Sequence, residues 1–264
     1  MRALLDFLLR RPAPGAASAS ASPAGWHSAS LAALAALWIA GPANWPLWQR
    51  LSELPGQQGL RGLLFALAFG GLIAGITALV LALGAWPRLV KALIGLMLIS
   101  AASGAHFMGT YGIVIDSTMM VNVLQTDARE VRDLLSLRLL LSLLLLAGLP
   151  LWWLARQPLQ RPRWPVTLRR QLGLMAGGLL LAVLCVYASF ATFSATMRNH
   201  TTLRYMVNPL NAYYALGSLA WASQKAPDGP PQPVGLDAKL APLAAGQRPP
   251  LLLLVLGETA RAAN

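Results

Sequence analysis

Long stretches without a single Asp, Glu, Lys or Arg, separated by short charged segments, dominate this chain. Four are plain: Leu63 to Trp86, Ala92 to Tyr111, Leu139 to Ala155 and Gln171 to Met197. A helix needs about 20 apolar residues to cross a hydrocarbon core of about 30 Å, so each stretch predicts a transmembrane helix. A fifth, Trp26 to Trp48, is equally uncharged but carries Gly41-Pro42 in its middle and predicts a kinked crossing. Leu251 to Leu256 is too short to span. Bounded by Pro249-Pro250 and Gly257, it suits a strand buried on both faces of a parallel sheet. The pattern predicts an all-α membrane domain with five transmembrane helices, followed by the first strand of an α/β domain.

Composition agrees with a membrane protein. Of 264 residues, 56% are hydrophobic and only 11% charged, against roughly 25% charged in an ordinary soluble domain. The net charge of +12 would suggest nucleic acid in a soluble protein, but its distribution follows membrane topology instead. Arg156, Arg161, Arg163, Arg169 and Arg170 cluster between the fourth and fifth stretches without an acid, Arg88 and Lys91 lie between the second and third, and Arg2, Arg10 and Arg11 accompany Asp6 at the start. These segments are expected on the cytoplasmic side. Asp116, Asp127, Glu130 and Asp133, with Arg129 and Arg132, are expected outside, and five crossings then place everything after Met197 outside as well.

The segments order accordingly. Residues 1–25 are expected as a flexible cytoplasmic N-terminus, of which 12–25 are rich in Pro, Ala, Ser and Gly. Leu4 to Leu9 is too short for a signal-peptide core, contains Asp6 and is followed by Arg10-Arg11. Residues 26–197 form the membrane domain, with an outward segment at about 107–137. Residues 198–225 are expected as bridging helices broken by Pro209, and 226–250 as a Pro-rich linker. Residues 251–264 begin the last domain.

Candidate chemistry is sparse. Gly257-Glu258-Thr259 follows the carboxyl end of the expected strand, where open α/β sheets place ligands, and Glu258 could hold a divalent metal. A glycine turn with a solvated helix cap is the competing reading. Asn122, Thr126 and Glu130 are spaced i, i+4, i+8, one face of a continuous helix, while a solvated loop helix with Glu130 paired to Arg129 or Arg132 is the alternative. Tyr205, Asn208 and Asn211 could contact a headgroup or simply anchor helices at the interface. His106 suits a hydrogen-bonded interfacial histidine, Trp152-Trp153 an aromatic belt, and the single Cys185 a small packing residue.

Three blocks resemble the lipid A phosphoethanolamine transferases, the family that includes the mobile colistin resistance enzymes. They are Leu254 to Asn264, Tyr111 to Leu135 and Arg204 to Pro209, which come in the family's order. The resemblance implies an inner-membrane, multi-pass enzyme with a sulfatase-like periplasmic domain. Such an enzyme moves phosphoethanolamine from phosphatidylethanolamine to lipid A or another lipopolysaccharide sugar through a phosphothreonine, with one or two zinc ions. It implies Glu258 as a zinc ligand, and Asn122, Thr126 and Glu130 as contacts to the donor headgroup. Thr259 does not match the nucleophile, which is expected beyond Asn264 with the remaining ligands, so the chain as it stands is expected to be inactive. A non-catalytic membrane module or transporter-like scaffold is the rival reading. Transporters usually place ionisable groups at mid-membrane, and these stretches hold none.

Overall fold

Gly41-Pro42 breaks the first apolar stretch, because proline lacks the N–H that would continue the helix. In the computed structural model, which describes residues 25–223 and 236–237, α1 spans Ser28–Ala40 and ends at Gly41. A 3-10 turn, Pro42–Asn44, leads into α2, Trp45–Ser52. The expected Trp26 to Trp48 crossing is therefore a broken pair of short helices. Among the described residues, four helices are long and apolar enough to cross a membrane: α3 Gly59–Leu83, α4 Val90–Tyr111, α7 Leu137–Arg156 and α8 Trp164–Asn199.

Between α4 and α7 lie α5, Ser117–Gln125, and α6, Ala128–Leu134; after α8 come α9, Thr202–Tyr205, and α10, Leu210–Ser223. The bridging segment is thus helical on both sides of Pro209. Its α10 is tied to the rest by Ser100–Tyr213 and Ser117–Ser218 hydroxyl contacts, each 2.9 Å. Burial pushes the Tyr213 phenol up, and the Ser100 contact acts against it. The expected strand Leu251 to Leu256, the linker apart from 236–237, and Glu258 lie outside the described residues.

Three carbonyls at the break find side-chain donors. Asn44 Nδ2 donates to Ile39 O at 2.7 Å, and Trp48 Nε1 donates to Ala40 O and Gly41 O at 3.1 and 2.9 Å. Such compensation is what a broken helix requires away from water. A similar device serves α7, where a π-helical turn at Leu144–Gly148 interrupts the α-helix. Its Leu146 carbonyl accepts from Trp38 Nε1 of α1 at 2.9 Å.

Two buried clusters hold the bundle. One joins Leu31, Leu81, Ile94 and Leu98 with Ala147 and Leu154, linking α1, α3, α4 and α7. The other gathers Leu47, Phe65, Phe69 and Met108 with Leu203, and Phe69 meets Trp48 and Phe193 edge-on. By contrast α8, about 54 Å long at 1.5 Å per residue, buries little of its surface. It rests on α3 through small residues. A Cβ on Gly75 would fall 2.5 Å from Gly178 O, one on Gly178 2.7 Å from Gly75 O, and one on Gly71 2.6 Å from Cys185 Sγ. Close backbone approach of this kind drives helix association where lipid removes the hydrophobic incentive.

The connections define two ends. Lys91 Nζ donates to Ala155 O and Gln157 O, and Trp26 pairs with the 158–160 backbone, so the Arg88–Lys91 and 156–170 basic segments share one end. Gln57 Nε2 meets Thr196 Oγ1 at 3.4 Å near the other, which also carries α5 and α6.

Replacing Gly75 by Leu is expected to lower thermal stability in detergent by about 1–3 kcal/mol through overpacking. Gly177→Ala, on the same helix as Gly178 but with open space around its Cβ, is expected to leave stability unchanged or raised.

Candidate functional site in the outward segment

The α5–α6 segment is shaped by its own caps. Asp116 accepts from Met119 N at 2.8 Å and starts α5, and Met120 is the residue that α5 buries. The helix stops at Thr126, whose ψ of 125° is extended. Asp127 then caps α6 by accepting from Arg129 N and Glu130 N at 2.8 and 2.9 Å, while Glu130 Oε2 accepts from Asp127 N at 3.4 Å. This is a reciprocal capping box.

The expectation that Asn122, Thr126 and Glu130 share one face of a continuous helix is corrected by that break. Asn122 sits on α5, Thr126 at its end and Glu130 in the first turn of α6. The competing ion pair of Glu130 with Arg129 or Arg132 is not formed either; the only ion pair among the described residues is Arg50–Glu53. Sequence reasoning missed the box, although Asp127-x-x-Glu130 is its ordinary signature.

Chemically the three differ. The Asn122 side chain is exposed and offers two amide donors. Thr126 donates its hydroxyl proton to Asn122 O at 2.7 Å, so it presents lone pairs, which suit a cation better than a phosphate. Glu130 is exposed, and its bond to Asp127 uses one oxygen at long range, so the carboxylate keeps acceptor capacity for an ammonium group.

Tyr205 and Asn208 part company with this segment. Tyr205 is half-buried beside Arg204, whose guanidinium donates to its hydroxyl at 2.8 Å and covers its ring at 4.7 Å. Asn208 is only 2% exposed. Its N–H donates to Asn44 Oδ1 at 2.8 Å, Asn44 Nδ2 returns the bond to Asn208 O at 2.7 Å, and its own amide donates to Ala101 O and, at 3.4 Å, Ala43 O. The side chain that was expected at a headgroup is therefore a fastening inside the bundle, pressed against Gly104, where a Cβ would fall 2.3 Å from Asn208 Oδ1. Asn211 likewise donates to Ile115 O, which ties α10 to the start of the outward segment. His106 is 4% exposed, with Nδ1 at 3.2 Å from Ser142 Oγ.

No three His, Cys, Asp or Glu side chains converge as a metal site among the described residues.

A polytopic helical bundle with lipid-facing leucines and an exposed polar turn at one end defines a multi-pass membrane protein. The family model for the phosphoethanolamine transferases EptA/EptB matches residues 73–223, more than half of the chain and all of α4 to α10. The chain belongs to that family. It is 32% identical over 237 residues to phosphatidylethanolamine transferase Mcr-1 of Escherichia coli, covering 88% of this chain and 43% of that protein. It is 28% identical over 236 residues to phosphoethanolamine transferase EptA of Escherichia coli O157:H7, covering 88% and 42%. In fold it is similar to the integral membrane lipooligosaccharide phosphoethanolamine transferase A of Neisseria meningitidis, with a TM-score of 0.68 at 22% identity over 78% of this chain and 40% of that one. The chain spans less than half the length of the relatives it matches.

Asn44→Ala and Asn208→Ala are each expected to cost about 1–3 kcal/mol by stranding a buried partner. Asn44 bonds the Asn208 backbone, which Asn208→Ala keeps, so neither variant removes the other's hydrogen bonds; thermal melting of each variant against the unaltered chain checks the cost. Asp127→Ala should remove about 1 kcal/mol of local stability from α6, seen as faster amide exchange over 128–134 with the global melting point unmoved.

Proposed function

We propose that this chain is the membrane-embedded part of a phosphoethanolamine transferase. It would take the headgroup of phosphatidylethanolamine and pass it to lipid A or another lipopolysaccharide sugar, in a bacterial inner membrane. The observation that carries the reading is the family match across 73–223, which includes the α5–α6 turn and both bridging helices.

In this reading the outward segment receives the donor headgroup. Glu130 pairs with the ethanolamine ammonium, Thr126 accepts from the same group, and the Asn122 amide donates to a phosphate oxygen. Phosphoryl transfer depends chiefly on positioning and on neutralising charge on the phosphoryl oxygens, so a rigid, doubly capped turn beside the membrane is a suitable donor holder. The threonine that would carry the phosphoryl group, and zinc with Glu258 as one ligand, belong to the region beyond the described bundle. Arg204–Tyr205 serves as an interfacial anchor.

The topology that suits this chemistry has the N-terminus in the cytoplasm and five crossings, with α1 and α2 forming the first as a kinked pair. Support comes from the satisfied carbonyls at Ile39, Ala40 and Gly41 and from α1 residues such as Leu31 and Ile39, buried at 1% and 0% exposure within the bundle.

Lipid A from cells expressing the full-length protein is expected to gain one phosphoethanolamine by mass spectrometry. Glu130→Ala and Glu258→Ala should each abolish that gain while leaving the protein in the membrane; unchanged modification in both would remove the site assignment. In a Cys185→Ser background, Asp133→Cys should react with a membrane-impermeant maleimide from the periplasmic side, whereas Arg88→Cys should not. Equal labelling would overturn the topology.

A further inference from the structure

The basic end of the bundle carries more positive charge than its own side chains answer. No acidic residue occurs from Leu134 to Pro227, while Arg156, Arg161, Arg163, Arg169 and Arg170 all fall in that interval. Some neighbouring cations are occupied: Lys91 is held by the Ala155 and Gln157 carbonyls, and Arg156 lies 3.8 Å over the Trp152 ring. Arg170 instead reaches the His27 ring. A guanidinium only donates, so His27 Nδ1 must accept, and the imidazole is the neutral tautomer with its proton on Nε2. A neutral ring leaves the Arg170 charge unbalanced.

That contact is set between two adjoining clefts of about 310 and 290 Å³ that share His27 and Ser30. The larger is completed by Arg170 and Leu174, the smaller by Trp26 and Gln160. The donors around this space are the remaining Arg170 N–H groups, His27 Nε2–H and the Ser30 hydroxyl. Ser30 stands in the first turn of α1, which has no acid and no side-chain cap, so the helix end adds to the positive potential. Apolar side chains, Leu174 together with Ala29 and Ala33, form the adjoining wall. Trp26 and Trp153 meet edge-on at 5.6 Å nearby, where an aromatic belt marks a membrane boundary.

We propose that this end of the bundle binds an anionic phospholipid of the phosphatidylglycerol type. Its phosphate takes the Arg170, His27 and Ser30 donors, and its glycerol and first methylenes lie along Leu174 and the α1 alanines. The apolar wall directly beside the charged mouth is why the occupant is a lipid and not free phosphate: a soluble ion would leave that wall unused, and basic pockets between helices at a membrane surface are where anionic headgroups collect. The site is independent of the catalytic reading, since it lies at the end of the bundle opposite α5 and α6.

The test is thermal melting of the full chain in detergent, titrated with phosphatidylglycerol, with phosphatidylcholine, and with inorganic phosphate. Phosphatidylglycerol is expected to raise the melting temperature saturably. Arg170→Gln should raise the half-saturating concentration by roughly tenfold or more, the loss of one charged hydrogen bond. Ser30→Leu, which fills both clefts without changing charge, should do the same and keeps the question answerable if Arg170→Gln does not fold. Arg61→Gln, at the opposite end, should respond as the unaltered chain does. An equal effect of phosphatidylcholine, full reproduction by inorganic phosphate, or an undiminished response in Ser30→Leu would overturn the proposal.

Discussion

A backbone group left without a partner in hydrocarbon costs several kcal/mol, and the first apolar stretch of this chain, with two prolines, is where that constraint presses hardest. Asn44 resolves it. Its amide closes the Ile39 carbonyl and at the same time exchanges two hydrogen bonds with the Asn208 backbone. One side chain thus both finishes a broken helix and fixes where the segment after α8 returns to the bundle. Asn208 then extends the fastening to α4 through Ala101, and Gly104 allows that approach by having no Cβ.

From this clasp the outward end follows. With 207–209 held in place, α10 runs back across α4 and over the start of α5, where Tyr213, Asn211 and Ser218 each meet a polar group. The start of α5 is therefore held by long-range contacts, and the α5–α6 turn is shaped from within by its own two aspartate caps. A capped polar turn presents Asn122 and Glu130 exposed with Thr126 half-buried between them, which suits capture of a charged headgroup at a membrane surface.

The bundle also divides its surfaces by residue size. Leu179, Leu180, Leu184 and Phe190 stand exposed on α8, while Gly178, Ala182 and Cys185 face α3. In water such a surface would aggregate. Against lipid tails it costs nothing, and the small residues gain van der Waals contact that large ones could not reach.

What the sequence by itself determined was whatever depends on local composition. Apolar runs located α3, α4, α7 and α8 to within a few residues, except that α8 begins earlier, at Trp164, because Pro165 suits a first helical turn and the helix runs through Arg169 and Arg170 before the apolar run begins. Gly41-Pro42 announced the break, and the quoted blocks around Tyr111 to Leu135 and Arg204 to Pro209 announced the family. Tertiary structure alone decided the rest. Asn208 reads the same on paper whether it faces a headgroup or a carbonyl. Its partners Asn44 and Ala101 are 164 and 107 residues away, and no local pattern encodes a hydrogen bond of that separation. The same holds for Trp38 on the Leu146 carbonyl and for Arg170 on His27, where chain folding, not residue type, determines which polar atoms meet.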